Sequence, residues 1–293
     1  PMTRRFDLPG VRGAPAHRLS QRLSLRPLLA AALLLGLGAA PLRADPARIL
    51  DLLRIEPLFE ILQRESVVYG DDLAAGMLAG ADPGWRAEVA ALHAPARLLP
   101  PFRAEFAAHL APGLQPAIET FLTSDLGQKI VGLELSAREA MLDPGVEEAA
   151  IERATEADYA RDPRLAAVRQ LIAASDLIEA NVIGGLNANL AFYRAMAAGG
   201  GFPYEMTEAD ILAEVAAQEP EIRADITAWV EGYLFLALAP LSEDELAAAT
   251  RFFASEPGRA LVGAQFAGFE RVYAQASTGL GAALARRLRG QEL

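Results

Sequence analysis

The chain has no cysteine, which excludes a disulfide framework, a thiol nucleophile and an acylated lipoprotein anchor. Lysine is almost missing, with Lys129 alone beyond residue 44, and only His93 and His109 supply imidazoles there. The two histidines share no zinc-type spacing and read as surface or half-buried helix residues. Serine is sparse. Ser66, Ser136, Ser175 and Ser277 lie in helical stretches, and none has a Gly-x-Ser-x-Gly elbow. Aromatic residues make up 7% of the chain and isoleucine is scarce, which argues against strands, since strands favour β-branched and aromatic side chains.

Hydrophobic residues make up 52% of the 293 positions, enough for a packed core and too many for bulk disorder. Alanine and leucine, both strong helix formers, dominate that fraction. The expected class is all-α, a helical bundle of two similar multi-helix halves.

Charge is divided unevenly. Residues 1–44 carry seven arginines against Asp7 alone, a net +6, which leaves −17 for residues 45–293 within a whole-chain −11. So acidic a body repels phosphate backbones and anionic lipid surfaces, and no nucleic-acid partner is expected. Inside the basic region, residues 28–40 read LLAAALLLGLGAA, an apolar run preceded by Arg22 and Arg26. Its length suits a cleavable signal peptide and is short for a bilayer span. Cleavage is expected after Ala44, with Ala40 as the alternative, and an uncleaved anchor is the competing reading. The mature chain would be periplasmic or secreted, with no membrane span.

Two stretches resemble one another. FLTSDLGQKIVG at 121–132 and FFASEPGRALVG at 252–263 share five of twelve positions: Phe121/Phe252, Ser124/Ser255, Gly127/Gly258, Val131/Val262 and Gly132/Gly263. The register extends to Glu139/Glu270. A weaker echo pairs LLRIEPLFEIL at 52–62 with LIAASDLIEAN at 171–181. This suggests a duplication, with repeats at 45–145 and 163–293 joined by a connector at 146–162.

Each repeat carries a helix–cap–helix corner. Ser242 and Glu245 form a capping box that opens a helix ending near Ala254. Ser255 then caps the next helix, with Glu256 at its positive end and Pro257 in its first turn. Ser124 and Asp125 serve likewise in the first repeat. Gly127, Gly132, Gly258 and Gly263 are expected to let helices approach closely.

The corner resembles a bacterial envelope family known as domain of unknown function twenty fifty-nine. That family's pattern is an acidic Glu-Leu helix, then Phe-Tyr-x-Ser-x-x-Gly and a further amphipathic helix. Glu245-Leu246, Phe252-Phe253, Ser255 and Gly258 match it, with Phe253 in place of tyrosine. The first repeat keeps Phe121, Ser124 and Gly127 but has Gln115-Pro116 where the acidic pair belongs. The resemblance implies an exported helical domain and carries no catalytic or binding residues.

No catalytic, cofactor or metal constellation is expected. Asp71-Asp72, Glu147-Glu148, Glu219/Glu221 and Glu243-Asp244-Glu245 lack the alternate spacing of a calcium loop. Gly199-Gly200-Gly201 follows no strand and precedes no lysine, so it reads as a flexible loop, not a phosphate cradle. The most apolar segment, Trp229 to Leu241, reads as a core helix, or as the border of a groove for a lipid tail or partner helix. The leading expectation is a non-enzymatic interaction module for an envelope protein. A lipid or small-molecule carrier is the alternative, and an acid-only hydrolase comes last.

Overall fold

Asp-Pro pairs set the helix starts. Asp45, Asp82, Asp143 and Asp162 each accept a hydrogen bond from a backbone amide inside the helix they open, from Ala47 (3.0 Å), Trp85 (2.7 Å), Gly145 (2.8 Å) and Arg164 (2.7 Å). The proline that follows each one has no N–H to leave unsatisfied, and its fixed φ is already helical. The computed structural model describes residues 45–78 and 82–291. The expected signal segment, 28–40 with its arginine-rich flank, lies outside the described residues.

The described residues are helical and contain no strand. In order they form α1 (Pro46–Leu52), α2 (Ile55–Met77), α3 (Pro83–Leu92), α4 (Pro95–His109), α5 (Gln115–Leu122), α6 (Asp125–Ala140) and α7 (Pro144–Tyr159), then α8 (Pro163–Ala174), α9 (Leu177–Ala198), α10 (Glu208–Ala217), α11 (Glu219–Ala237), α12 (Glu243–Ala254) and α13 (Glu256–Gln291). None is long and apolar enough to cross a membrane.

The order α1–α6 is matched by α8–α13, with α7 between them. The α1–α2 break falls on Arg54 and the α8–α9 break on Asp176, both left-handed at φ 52°. Aligning these breaks pairs Arg54 with Asp176. That shifts the upstream echo by three positions from the Leu52/Leu171 match, because backbone geometry, not residue identity, marks the corner. α1 packs on α5 and α8 on α12, while α6 packs on α11 and α13 on α4. The terminal helix of each stretch therefore lies against the other stretch, and residues 45–291 form one compact unit.

Three cores result. Phe59, Phe102 and Phe106 are wholly buried beside Leu261 and Val272 of α13. At about 2–3 kcal/mol for each fully buried large side chain, such residues dominate the packing energy. Val168, Leu238 and Ala249 centre a second core around α8, α11 and α12. A third joins Trp85 and Met196 to Leu284, with the Trp85 indole donating to the Gly70 carbonyl at 2.7 Å.

Two expectations about segments change. Gly199-Gly201 is a packed turn: Gly200 takes φ +64°, and a Cβ on Gly199 or Gly201 would lie 2.5 Å or 2.9 Å from the Ala285 methyl. The apolar segment Trp229–Leu241 is helical only to Ala237. It then turns, and the Leu238 and Leu241 carbonyls accept from Arg164.

Candidate functional site

The repeated corners have matching local chemistry. Ser124 Oγ donates to the Phe121 carbonyl (2.6 Å) and accepts from the Gly127 amide (3.1 Å). Ser255 does the same with Phe252 (2.5 Å) and Gly258 (3.3 Å). Each hydroxyl thus closes one helix end and opens the next. A Cβ on Gly127 or Gly258 would sit 2.1 Å from the Phe121 or Phe252 carbonyl oxygen, so glycine is required at both. Gly132 and Gly263 differ from expectation. The nearest atom to a Cβ at Gly132 is an Arg54 guanidinium nitrogen at 3.9 Å, and nothing lies within 4 Å at Gly263. Both sit further along their helices, past the corner where the chain doubles back.

The two corners meet. The Phe121 and Phe252 rings stack with centroids 3.6 Å apart and planes within 6°. The box that opens α12 is closed by Ser242 N–H to Glu245 (2.8 Å) and Glu245 N–H to Ser242 Oγ (3.2 Å). Glu245 also accepts from Lys129 Nζ at 2.8 Å, tying α12 to α6.

Below the stacked rings lies a cavity of about 220 Å³. α6 contributes Ile130, Val131 and Glu134, and α13 contributes Leu261, Val262 and Gln265. These are the same positions in the extended sequence register, so both stretches contribute to the wall. Leu53 and Ser175, beside the two left-handed breaks, also face it, and Trp229, Val230, Tyr233 and Leu234 of α11 close one side.

Glu134 is the exceptional wall residue. Its spacing from Ile130, Val131 and Arg138 places it on the inward stripe of α6. Among the described residues its carboxyl has no hydrogen-bond or ionic partner, and enclosure away from water raises its pKa from 4.5 to about 7. It is surrounded by protein yet keeps some accessible surface, because that surface faces the cavity.

The neighbouring polar groups are already engaged. Arg138 makes two 2.6 Å bonds to Glu65, and its guanidinium lies 4.6 Å from the centre of the Trp229 ring. Trp229 stacks on Tyr233 at 5.0 Å. Tyr233 donates its hydroxyl to the Glu134 backbone carbonyl at 3.0 Å. Burial, and then the Glu134 charge, hold that phenol well above its usual pKa, so it stays neutral. At Arg138, Asn181, Tyr233, Phe266 and Phe269 the cavity wall continues into an outer groove of about 500 Å³ that also reaches His109 and Glu270.

The histidines and acid pairs lie elsewhere or at the margin. His93 is half-buried, with Nδ1 2.9 Å from the Val89 carbonyl, and burial lowers its pKa. His109 is exposed, and Glu105, one turn earlier, lies 3.6 Å away. Asp71 pairs with Arg86 and Glu219 with Arg223. Asp72, Glu147 and Glu148 converge with Glu65 and Glu152 along a separate acidic groove. Among the described residues no group of three or more His, Asp or Glu side chains is placed to hold a metal ion.

Sequence reasoning passed over Glu134, Gln265 and Arg138. The signal was present: extending the repeat register from Val131/Val262 by three residues pairs Glu134 with Gln265, both on apolar faces.

No family model, curated protein or solved structure matches the chain. The resemblance to domain of unknown function twenty fifty-nine therefore rests on its motif residues alone.

Proposed function

We propose that this chain is a non-enzymatic binding protein that carries a small, mostly apolar molecule in the cavity between α6, α11 and α13. The observation that carries this reading is an apolar cavity of about 220 Å³ walled by both stretches and holding one unpartnered carboxyl. An engineered cavity of about 150 Å³ in another protein binds benzene, so this one suits roughly ten non-hydrogen atoms. Apolar walls left facing water and an unpartnered carboxylate beside them both cost stability. A mostly apolar ligand would offset both terms.

The interaction module expected first from sequence yields to the carrier, because the space between the stretches is molecule-sized. The matching helix order and the paired corners support descent from a duplicated six-helix unit. The corner motif supports kinship with the twenty fifty-nine family, and the apolar run at 28–40 supports export to the periplasm.

The reading is tested by thermal unfolding of the full chain with 2-phenylethanol, cyclohexanol or toluene, alongside a Val131→Phe/Val262→Phe variant. Wild type should be stabilised by at least one probe. The variant, with phenylalanines projecting into the cavity, should keep its helical circular dichroism and lose that response. Wild type indifferent to every probe, or a variant that responds equally, would overturn it.

A further inference from the structure

We infer that the ligand of this cavity is an organic monocation, an amine of about ten non-hydrogen atoms whose protonated nitrogen lies between the Glu134 carboxylate and the Gln265 amide oxygen. This rests on the cavity-binding reading above and adds the chemical class of the molecule.

The first argument is an inventory of donors. Tyr233 spends its hydroxyl proton on the Glu134 carbonyl, and Arg138 directs Nε and Nη2 at Glu65. Asn181 donates to the Leu177 carbonyl (2.7 Å), and Ser175 to the Leu171 carbonyl (3.0 Å). Glu134, the one acidic residue in the wall, receives nothing from any of them. An ionised carboxylate is an acceptor only. Gln265 and Trp229 also carry N–H donors in the wall, but among the described residues neither hydrogen-bonds the Glu134 carboxyl, so a ligand that brings a donor completes the site.

Charge gives the second argument. The charged and titratable groups around the cavity are Glu134 and Arg138 from α6, Glu65 from α2, Tyr233 from α11 and Tyr273 from α13, with His109 of α4 and Glu270 of α13 further out in the groove, where Glu270 accepts from Asn187. Both phenols are held neutral by burial, and Arg138 is matched by Glu65. What remains in the inner cavity wall is the single negative charge of Glu134. An anionic head, such as a fatty-acid carboxylate or a phosphate, would meet this charge with the nearest guanidinium already bonded twice. A neutral alcohol would leave the charge unpaired. An ammonium group neutralises it through charge-assisted hydrogen bonds. The rings of Phe266 and Phe269 at the mouth offer further faces to a cation.

The test is isothermal titration calorimetry at pH 7 with three probes of similar size: 2-phenylethylamine, 2-phenylethanol and phenylacetate. Each is measured in two buffers of different ionisation enthalpy. The amine should bind at least about tenfold more tightly than the alcohol, as a charge-assisted bond predicts. It should also release a measurable fraction of a proton per site, because its charge deprotonates the Glu134 carboxyls that enclosure keeps protonated. Glu134→Gln should remove both the preference and the proton release. Alcohol or phenylacetate binding as tightly as the amine, or amine binding without proton release, overturns the inference and leaves the binding reading intact. No binding by any of the three probes overturns both.

Discussion

Glu134 should make this protein less stable as pH rises, and the effect is large enough to measure. Enclosure lifts its carboxyl from 4.5 in the open chain to about 7 in the folded state. A group whose folded pKa is raised contributes fully below its unfolded pKa and loses that contribution as pH rises through the folded value. The window therefore runs from about pH 4.5 to pH 7, with a slope of about 1.4 kcal/mol per pH unit and a total of about 3 kcal/mol. Glu134→Gln keeps the shape and removes the titration. Urea unfolding of both proteins at pH 4.5 and pH 8 isolates the term, because every other titrating group is common to the two chains. The stability difference between variant and wild type should shift by about 3 kcal/mol in favour of the variant between these pH values. Parallel pH dependence in the two proteins would show that Glu134 is solvated or paired, and the account of the cavity would lose its main support.

Gly127→Ala and Gly258→Ala should each destabilise by about 2 kcal/mol or more, since the new methyl meets a carbonyl oxygen. Gly263→Ala should be neutral or stabilise by up to about 1 kcal/mol, because nothing opposes the methyl and helix propensity rises; chemical denaturation compares all three. Ser124→Ala and Ser255→Ala should each cost about 1 kcal/mol through loss of a cap, with ligand affinity unchanged in the same titrations. Arg138→Met should cost about 3 kcal/mol by leaving Glu65 without its partner. A double-mutant cycle with Glu65→Gln should recover part of that loss.

The helical architecture was legible because it is written locally. Alanine and leucine set the class, Asp-Pro pairs punctuate four helix starts, and Ser242 with Glu245 shows its box within four residues. The Ser124 and Ser255 corners were legible for the same reason. The site was harder to see. Glu134 looks like one more acid in an acidic chain until α11 and α13, far along the sequence, close over it. Volume between helices leaves no mark on any single segment. The Gly199–Gly201 turn misled because three glycines suggest mobility, whereas here they admit the Ala285 methyl of α13. Trp229–Leu241 misled in part because apolar content hid a helix end, which Arg164 caps from α8.

The most direct measurement is native mass spectrometry of the protein purified from its own cells without added ligand, alongside the Val131→Phe/Val262→Phe variant prepared in the same way. The account predicts a small molecule, released at modest collision energy, on wild type and absent from the variant. A bare wild-type chain that takes up none of the amine, alcohol or carboxylate probes at millimolar concentration would contradict it.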